Sequence, residues 1–154
     1  MINHSKKDII LAPYHPTYGE QTVSMWRESK ERALGQKEIH TFENHLHFLN
    51  HVLYKQYVIE IALLNDKVVG MIVYNQNEIN QLYIHVDYQG FGIGNALLHK
   101  AKAQSERLTL YTFEVNTNAQ RFYEKHGFTI NGRGHENEEN LPDLLYEWVD
   151  EERA

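Results

Sequence analysis

The segment Leu82-Tyr83-Ile84-His85-Val86-Asp87-Tyr88-Gln89-Gly90-Phe91-Gly92-Ile93-Gly94-Asn95 sets three glycines at alternating positions, where an apolar strand pattern gives way to a helical one. Glycines at such a junction let the main chain approach a ligand closely. The first amides of the following helix have no intrahelical acceptor, and the helix dipole adds about half a positive charge at that end. The chemistry this suits is the binding of a pyrophosphate. Charge-assisted hydrogen bonds from directed N–H groups contribute about 1.5–3 kcal/mol each, against about 0.3–1 kcal/mol for the dipole, so the donors dominate.

Gly-rich turns serve several ligands. No Lys-Ser or Lys-Thr pair follows the glycines, which excludes the nucleotide-triphosphate loop. Gly90-x-Gly92, with Glu114 twenty residues beyond Gly94, meets part of a dinucleotide fingerprint. Asn95, however, stands in the place of the third glycine, and the turn follows an antiparallel meander instead of opening a parallel βαβ unit. On spacing alone a purely structural turn also stays open.

A second block narrows the choice. Gln89-Gly90-Phe91-Gly92-Ile93-Gly94 resembles the Gln/Arg-x-x-Gly-x-Gly/Ala motif of the GCN5-related N-acetyltransferases (GNAT), and Leu82-Tyr83-Ile84 resembles their central strand. Asn116-x-x-Ala119-x-x-Phe122-Tyr123-x-x-x-Gly127-Phe128 is similar to the helix that follows in that family. The specific match covers about 50 residues, Glu78 to Phe128, with both blocks in the family's order.

The resemblance implies acetyl transfer from acetyl-CoA to a primary amine. It assigns the pyrophosphate to the main-chain amides of Gly90, Phe91, Gly92, Ile93, Gly94 and Asn95, with Gln89 opening the motif. It assigns the pantetheine arm to the main chain of Leu82, Tyr83 and Ile84, as an added strand, and to the side chain of Asn116. Tyr123 would stand near the thioester sulfur as the acid, and Glu78 occupies a position where many members carry a glutamate that draws the amine proton through water. Some relatives place a glutamate five residues before the motif asparagine; Tyr111 stands there, which argues against the subtype acting on protein N-termini. Val86 replaces a frequent proline, which bears on the turn's rigidity.

Elementary acid–base chemistry sets what such a site must do. A lysine-like amine with a pKa of about 10.4 is neutral about once in 2,500 molecules at pH 7, a cost of about 4.6 kcal/mol on the attacking species, so the proton needs an acceptor. The thiolate that leaves, with a pKa of about 8.5 if it behaves like cysteine, benefits from a donor, and a phenol can supply one. The chain has no cysteine to carry an acyl group, which favours direct attack in a ternary complex. Read without the resemblance, Tyr123 belongs to an Ala119/Phe122/Tyr123 core stripe, Asn116 is a cap and Glu78 is a solvated turn carboxylate.

Ten histidines raise the question of a metal, above all His47 and His51 at i, i+4 with His40 and His45 nearby. No His-Glu-x-x-His pattern exists and no third ligand is evident, so the expectation is no metal and a solvated face. His85 reads as a satisfied sheet histidine within reach of the acceptor cavity. His135, Glu136, Glu138 and Glu139 crowd a polar loop that either attracts a cationic amine or is simply solvated.

These residues need elements to position them. A strand at Asp8–Ala12 precedes a loop marked by Pro13, Pro16 and Gly19, then a helix carrying Val23, Trp26, Ala33 and Leu34 with Gly35 as its stop. Phe42, Leu46, Leu49 and Leu53 mark a second helix capped by Thr41. Three antiparallel strands follow, Tyr57–Leu64, Lys67–Asn75 and Glu78–Val86, turning at Asn65-Asp66 and Gln76-Asn77. A helix over Gly92–Arg107, packed through Ile93, Ala96, Leu97 and Ala101, leads to a strand at Leu108–Phe113 and a helix at Asn118–Lys125. Strands at Phe128–Ile130 and Leu144–Val149 flank a loop over Asn131–Asp143. The order β-α-α-β-β-β-α-β-α-β-β predicts an α/β (α+β) fold: a mixed, mostly antiparallel twisted sheet of about 6–7 strands flanked by about 4 helices.

With 154 residues, 42% hydrophobic and 23% charged, the chain is expected to form one domain over 1–154. Residues 78–128 would carry the cofactor motifs, and about 14–55 and 131–143 the acceptor specificity. The net charge of −6 argues against a nucleic-acid surface. Neither a secretory signal after Lys6 and Lys7 nor a membrane-spanning run is present, and the absence of cysteine fits a reducing cytoplasm. The expected acceptor is a small-molecule or peptide amine, and a homodimer is expected on family habit alone. The other function class is a non-catalytic CoA or acetyl-CoA sensor or interaction module.

Overall fold

Residues 8–152 are described by a computed structural model of the chain; Lys6 and Lys7 lie outside them. β1 (Ile9–Pro13) leads through one 3-10 turn, Pro16–Tyr18, into α1 (Gly19–Leu34). Gly19, expected in the loop, is instead the first residue of that helix. A Cβ there would stand 2.8 Å from Leu46 Cδ1 and 3.0 Å from the Tyr14 hydroxyl, so glycine lets those two side chains pack directly on the start of the helix. Gly35 ends α1 at φ 68°, with its N–H on the Glu31 carbonyl at 2.9 Å, as its stop signal predicts.

α2 (Phe42–Phe48) starts under Thr41, whose hydroxyl accepts from Asn44 N–H at 3.1 Å. The helix widens into π-helical turns over Leu49–Leu53 and closes at Tyr54–Gln56. Leu49 and Leu53 are buried as the pattern requires. His45 is not on a solvated face: one turn from Phe42 and beside Leu46, it is buried with its ring 4.0 Å from the Trp26 ring.

β2 (Val58–Leu64), β3 (Lys67–Tyr74) and β4 (Ile79–Ile84) complete an antiparallel sheet ordered β1-β2-β3-β4. Asn65 and Asp66, at φ 49° and 65°, make the first turn. The Asn75 side chain makes the second, accepting from the N–H groups of Asn77 and Glu78 at 2.9 Å each. β3 is buried at every residue but the first, because both faces of this sheet are covered. On one face Ile61, Met71 and Val73 pack with Val23, Trp26, Leu49 and Leu53 of the first two helices. On the other, Ala62, Val69 and Ile72 meet the C-terminal half of the chain.

That half comprises α3 (Ile93–Ala103), β5 (Arg107–Phe113), α4 (Thr117–Lys125), β6 (Thr129–Gly134) and β7 (Asp143–Val149). Its strands form a second antiparallel sheet ordered β5-β7-β6. Among the described residues seven strands and four helices follow the expected order, but the strands divide into two antiparallel sheets joined by one parallel bridge, Glu78 to Thr109. Two boundaries move by more than two residues. α3 stops at Ala103 because Ser105 turns inward to donate to the Gln76 carbonyl at 2.8 Å, and Ala96, expected in its packed face, is exposed. β6 extends to Gly134, since ladder pairing with β7 across a bulge at 131 overrides the weak strand preference of Asn-Gly-Arg-Gly; the loop shrinks to 135–142. Among the described residues no helix is long and apolar enough to cross a membrane.

Burial holds the His45 imidazole down to about 4, with Glu38 opposing and Arg27, Lys30 and His40 reinforcing the shift. The folded value lies below the ordinary one of 6.5, so this contribution is complete above about pH 6.5 and is lost as pH falls toward 4. Urea denaturation should therefore show roughly 2 kcal/mol less stability at about pH 5 than at about pH 7, and His45→Phe should flatten that interval.

Candidate functional site

β4 and β5 meet only at the Glu78–Thr109 bridge, where Thr109 N–H donates to the Asn77 carbonyl at 3.0 Å, and then part. The β4 edge beyond that point pairs with no strand. Between the two sheets lies a groove of about 790 Å³. One wall is Leu82, Tyr83 and Ile84, another the turn from Tyr88 to Asn95, and a third Val115–Ala119 with Phe122 and Tyr123; Ser29, Arg32 and Ala33 of α1 also border it.

The turn is built by local hydrogen bonds. His85 Nδ1 accepts from Asp87 N–H at 3.1 Å, so the ring proton lies on Nε2, which faces Glu28 Oε2 at 3.3 Å. His85 is thus buried and satisfied, and it fixes the Val86–Tyr88 3-10 turn without the proline. Gln89 is extended and donates from Nε2 to the Ile84 carbonyl at 3.4 Å. Gly90 and Gly92 then take φ values of 89° and 80°, which side chains rarely tolerate.

Gly94 matters for proximity instead. A Cβ there would stand 3.1 and 3.2 Å from the Phe122 ring, so α3 starts in contact with α4. The first intrahelical bond of α3 runs from Ala96 N–H to the Gly92 carbonyl at 3.0 Å. Nothing among the described residues accepts from the N–H groups of Gly90, Gly92, Ile93, Gly94 and Asn95. Five unmet donors beside an open groove fit a diphosphate, whose oxygens are acceptors only. Phe91, expected among these donors, does not line the groove: its N–H closes the turn through Gln89 and Gly90, and its side chain is partly buried against the core, with its ring 6.4 Å from that of Tyr88.

Asn116 both caps α4 and borders the groove. Its Oδ1 accepts from Ala119 N–H at 3.2 Å, which leaves the amide nitrogen without a partner among the described residues. Tyr123 is 6% exposed, with its ring against Phe122, Phe128 and Tyr146. Its hydroxyl takes no partner among the described residues, and burial pushes its acidity well below that of a free phenol, so it keeps its proton. Tyr83 is raised the same way, by burial first and then by Tyr123, Glu139 and Glu38.

Glu78 is not among the residues that line the groove. It accepts from the Tyr57 hydroxyl at 2.5 Å, and Asn80 Nδ2 lies 3.4 Å from the same oxygen. Asn80 is an extra residue in the β4 ladder, opposite the Val73/Tyr74 step. The resulting bulge inverts the alternation, so Ile79, Leu82 and Ile84 face one core while Tyr83 faces the other. Tyr57 packs on that second side as well, which puts Glu78 and Tyr83 on one face of the sheet despite their odd spacing.

The acidic loop is tied down. Lys30 Nζ lies 3.1 Å from both Glu139 Oε2 and Glu38 Oε2, the latter without hydrogen-bond alignment, and His40 Nε2 lies 2.6 Å from Glu138 Oε2. Burial raises the Glu38 carboxyl, but Lys30, His45 and the His40 backbone outweigh it and hold it below the usual range. His47 and His51 stack at 4.5 Å, and no group of three or more His, Asp or Glu among the described residues could hold a metal ion.

The groove contains residues the sequence did not single out. Lys125 and His126 fill unspecified positions of the second motif, and Ser29, Arg32 and Ala33 reach the groove only through the packing of α1 over β4.

The acetyltransferase (GNAT) domain family matches residues 54–130, half of the chain. The peptidyl-lysine N-acetyltransferase YjaB of Salmonella typhimurium is 29% identical over 116 residues, spanning 75% of this chain and 79% of that protein. Among solved structures, apo YjaB from Escherichia coli superposes with a TM-score of 0.74 at 24% identity, covering 92% of this chain and 97% of that one. The PaiA N-acetyltransferase of Thermoplasma acidophilum in complex with coenzyme A gives 0.71 at 20% identity, covering 92% and 98%.

The Gly94–Phe122 contact has a direct test. Gly94→Val should force α3 away from α4 and cost about 1–3 kcal/mol in chemical denaturation, and pairing it with Phe122→Leu should recover part of that loss.

Proposed function

Because the chain belongs to the GNAT family of acetyltransferases, we propose that it moves the acetyl group of acetyl-CoA to a primary amine by direct attack in a ternary complex, with residues 1–154 acting as one domain. The observation that carries this reading is the groove itself, which runs from five unmet amides at residues 90 and 92–95, past the open edge of β4, to Tyr123. The amides of the turn hold the diphosphate. The free β4 edge at Leu82, Tyr83 and Ile84, with the unspent Asn116 amide, holds the pantetheine arm as an added strand and polarises the acetyl carbonyl.

The reaction forms a C–N bond, breaks a C–S bond, and must move one proton off the amine. Tyr123, kept protonated by burial, donates to the departing sulfur; because its acidity is weakened, it acts first as a hydrogen-bond donor to the forming thiolate. Glu78, held by Tyr57 on the face of β4 that carries Tyr83, receives the amine proton through water. The amine enters from the side of α1, α2 and the 135–142 loop. Similarity to a peptidyl-lysine N-acetyltransferase favours the ε-amine of a peptide lysine as its class.

Thiol release with a panel of lysine peptides, free amino acids and polyamines tests the whole reading. Amine-dependent thiol is expected with the peptides, and CoA binding without any amine-dependent release would leave a binding module instead. Tyr123→Phe should lower kcat by at least about tenfold while the acetyl-CoA Kd stays within about twofold. Gly92→Asp should weaken that Kd by about tenfold or more, since it adds charge and a Cβ at a φ of 80°.

A further inference from the structure

One titratable group on the groove wall has no part in the roles above. His126 caps the C-terminus of α4, and its ring bridges to the first turn of α3. Its Nδ1 lies 2.8 Å from the Phe122 carbonyl, and a carbonyl only accepts, so the Nδ1 proton is fixed. Its Nε2 lies 3.0 Å from Asn95 Oδ1, so the structure holds that amide with its oxygen toward the ring; Asn95 itself borders the groove and its side chain has no other partner among the described residues.

The chemistry of that contact has two states. A neutral ring offers a lone pair at Nε2, so Asn95 must turn its NH2 toward the histidine and its carbonyl oxygen toward the groove. A protonated ring donates from Nε2, so Asn95 turns its oxygen inward and presents NH2 to the groove. The first state sets an acceptor beside the amides of residues 90–95, where diphosphate oxygens would be repelled; the second sets a donor there. Resting on the cofactor reading above, we propose that His126 is a positioning residue that, by taking up a proton, makes Asn95 a side-chain donor to the diphosphate and thereby couples cofactor affinity to pH.

The charged surroundings are mostly cationic. From α3, His99 and Lys102 lie one and two turns along the Asn95 face, with Lys102 Nζ donating to the His126 carbonyl at 2.5 Å. From α4, Lys125 borders the groove, Arg121 is turned toward Thr117 and Asn118, and Glu124 accepts from the Tyr146 hydroxyl at 2.6 Å. From β7, Trp148 offers its ring to Lys102. The one carboxylate among these groups, Glu124, is engaged by Tyr146, so the negative charge placed beside the imidazole arrives with the diphosphate.

The test is the Kd of CoA, measured by calorimetry from about pH 6 to about pH 8, for the wild type, His126→Gln and Asn95→Ala. Each variant is first checked for an unchanged melting temperature. The cofactor's own 3′-phosphate titrates in this range, so the readout is the wild-type trend minus that of each variant, repeated with dephospho-CoA. The wild type should tighten on acidification by about threefold to tenfold more than either variant, with CoA and dephospho-CoA alike. An equal trend in His126→Gln overturns the inference, and a trend lost in His126→Gln but kept in Asn95→Ala overturns the route through Asn95. Failure of the wild type to bind CoA at any pH would instead overturn the cofactor reading on which the inference rests.

Discussion

The organisation of this protein depends on two strands that touch once and separate. Had β5 continued along β4 beyond the Glu78–Thr109 bridge, the main-chain groups of Leu82–Ile84 would be spent on a ladder, and the two sheets would close into one. The parting leaves a strand edge inside the molecule, a costly arrangement unless something pairs with it or water reaches it. Packing sustains it. Ile84 and Ile93 fill the space over Gly70, where a Cβ would stand 2.9 Å from Ile84 Cδ1 and 3.1 Å from Ile93 Cγ2, so α3 is anchored against β3 while its N-terminus projects over the opening. Leu97, Leu98 and Ala101 continue that anchor, and burying each leucine contributes about 1.5–3 kcal/mol. The groove is thus held open by a core that lies behind it.

The groove and the surface outside it differ in charge. Along the groove the protein presents donors, with Arg32 and Lys125 on its walls and no carboxylate among the lining residues. Outside the groove, Glu38 of the α1–α2 connection and Glu139 of the β6–β7 loop share a single cation, Lys30. On the proposed reading, an anionic carrier and a cationic amine would be drawn to these different places. The tyrosines between them, Tyr83 and Tyr123, are kept neutral by burial and do not disturb either field.

Much of this was legible in the chain because its signals are local. Strand and helix periods, the Asn65-Asp66 turn, the Thr41 cap and the Gly35 stop depend on residues within a few positions of one another, and each appears in the structure. The groove walls at Leu82–Ile84, Gly90, Gly92–Asn95, Asn116 and Tyr123 were readable through the family resemblance, which itself rests on glycines and an asparagine at fixed offsets. What was not legible depends on distant partners. Gly19 reads as a loop marker until Leu46 and Tyr14 are known to press on it, and β6 acquires Asn131–Gly134 only because β7 pairs with them. His45 joins an apolar face that a pattern of hydrophobic residues alone assigns to leucines.

The side proposed for the acceptor shows why specificity resists such reading. Its carboxylates come from the α1–α2 connection and the β6–β7 loop, about 100 residues apart in the chain, and Lys30 joins them from a third element. No spacing rule links these positions, because each occupies a surface where many sequences would serve equally well to fold. The turn at residues 85–95 is constrained differently: its glycines are dictated by backbone angles, and its histidine by a hydrogen bond two residues away. On the proposed reading, backbone recognition of the carrier would thus leave a compact trace in sequence, whereas side-chain recognition of the amine would be assembled by tertiary contacts. The bulge at Asn80 bears on both: one inserted residue leaves the β4 edge open along the groove while it places Tyr83 and the Glu78–Tyr57 pair on the opposite face from Leu82 and Ile84.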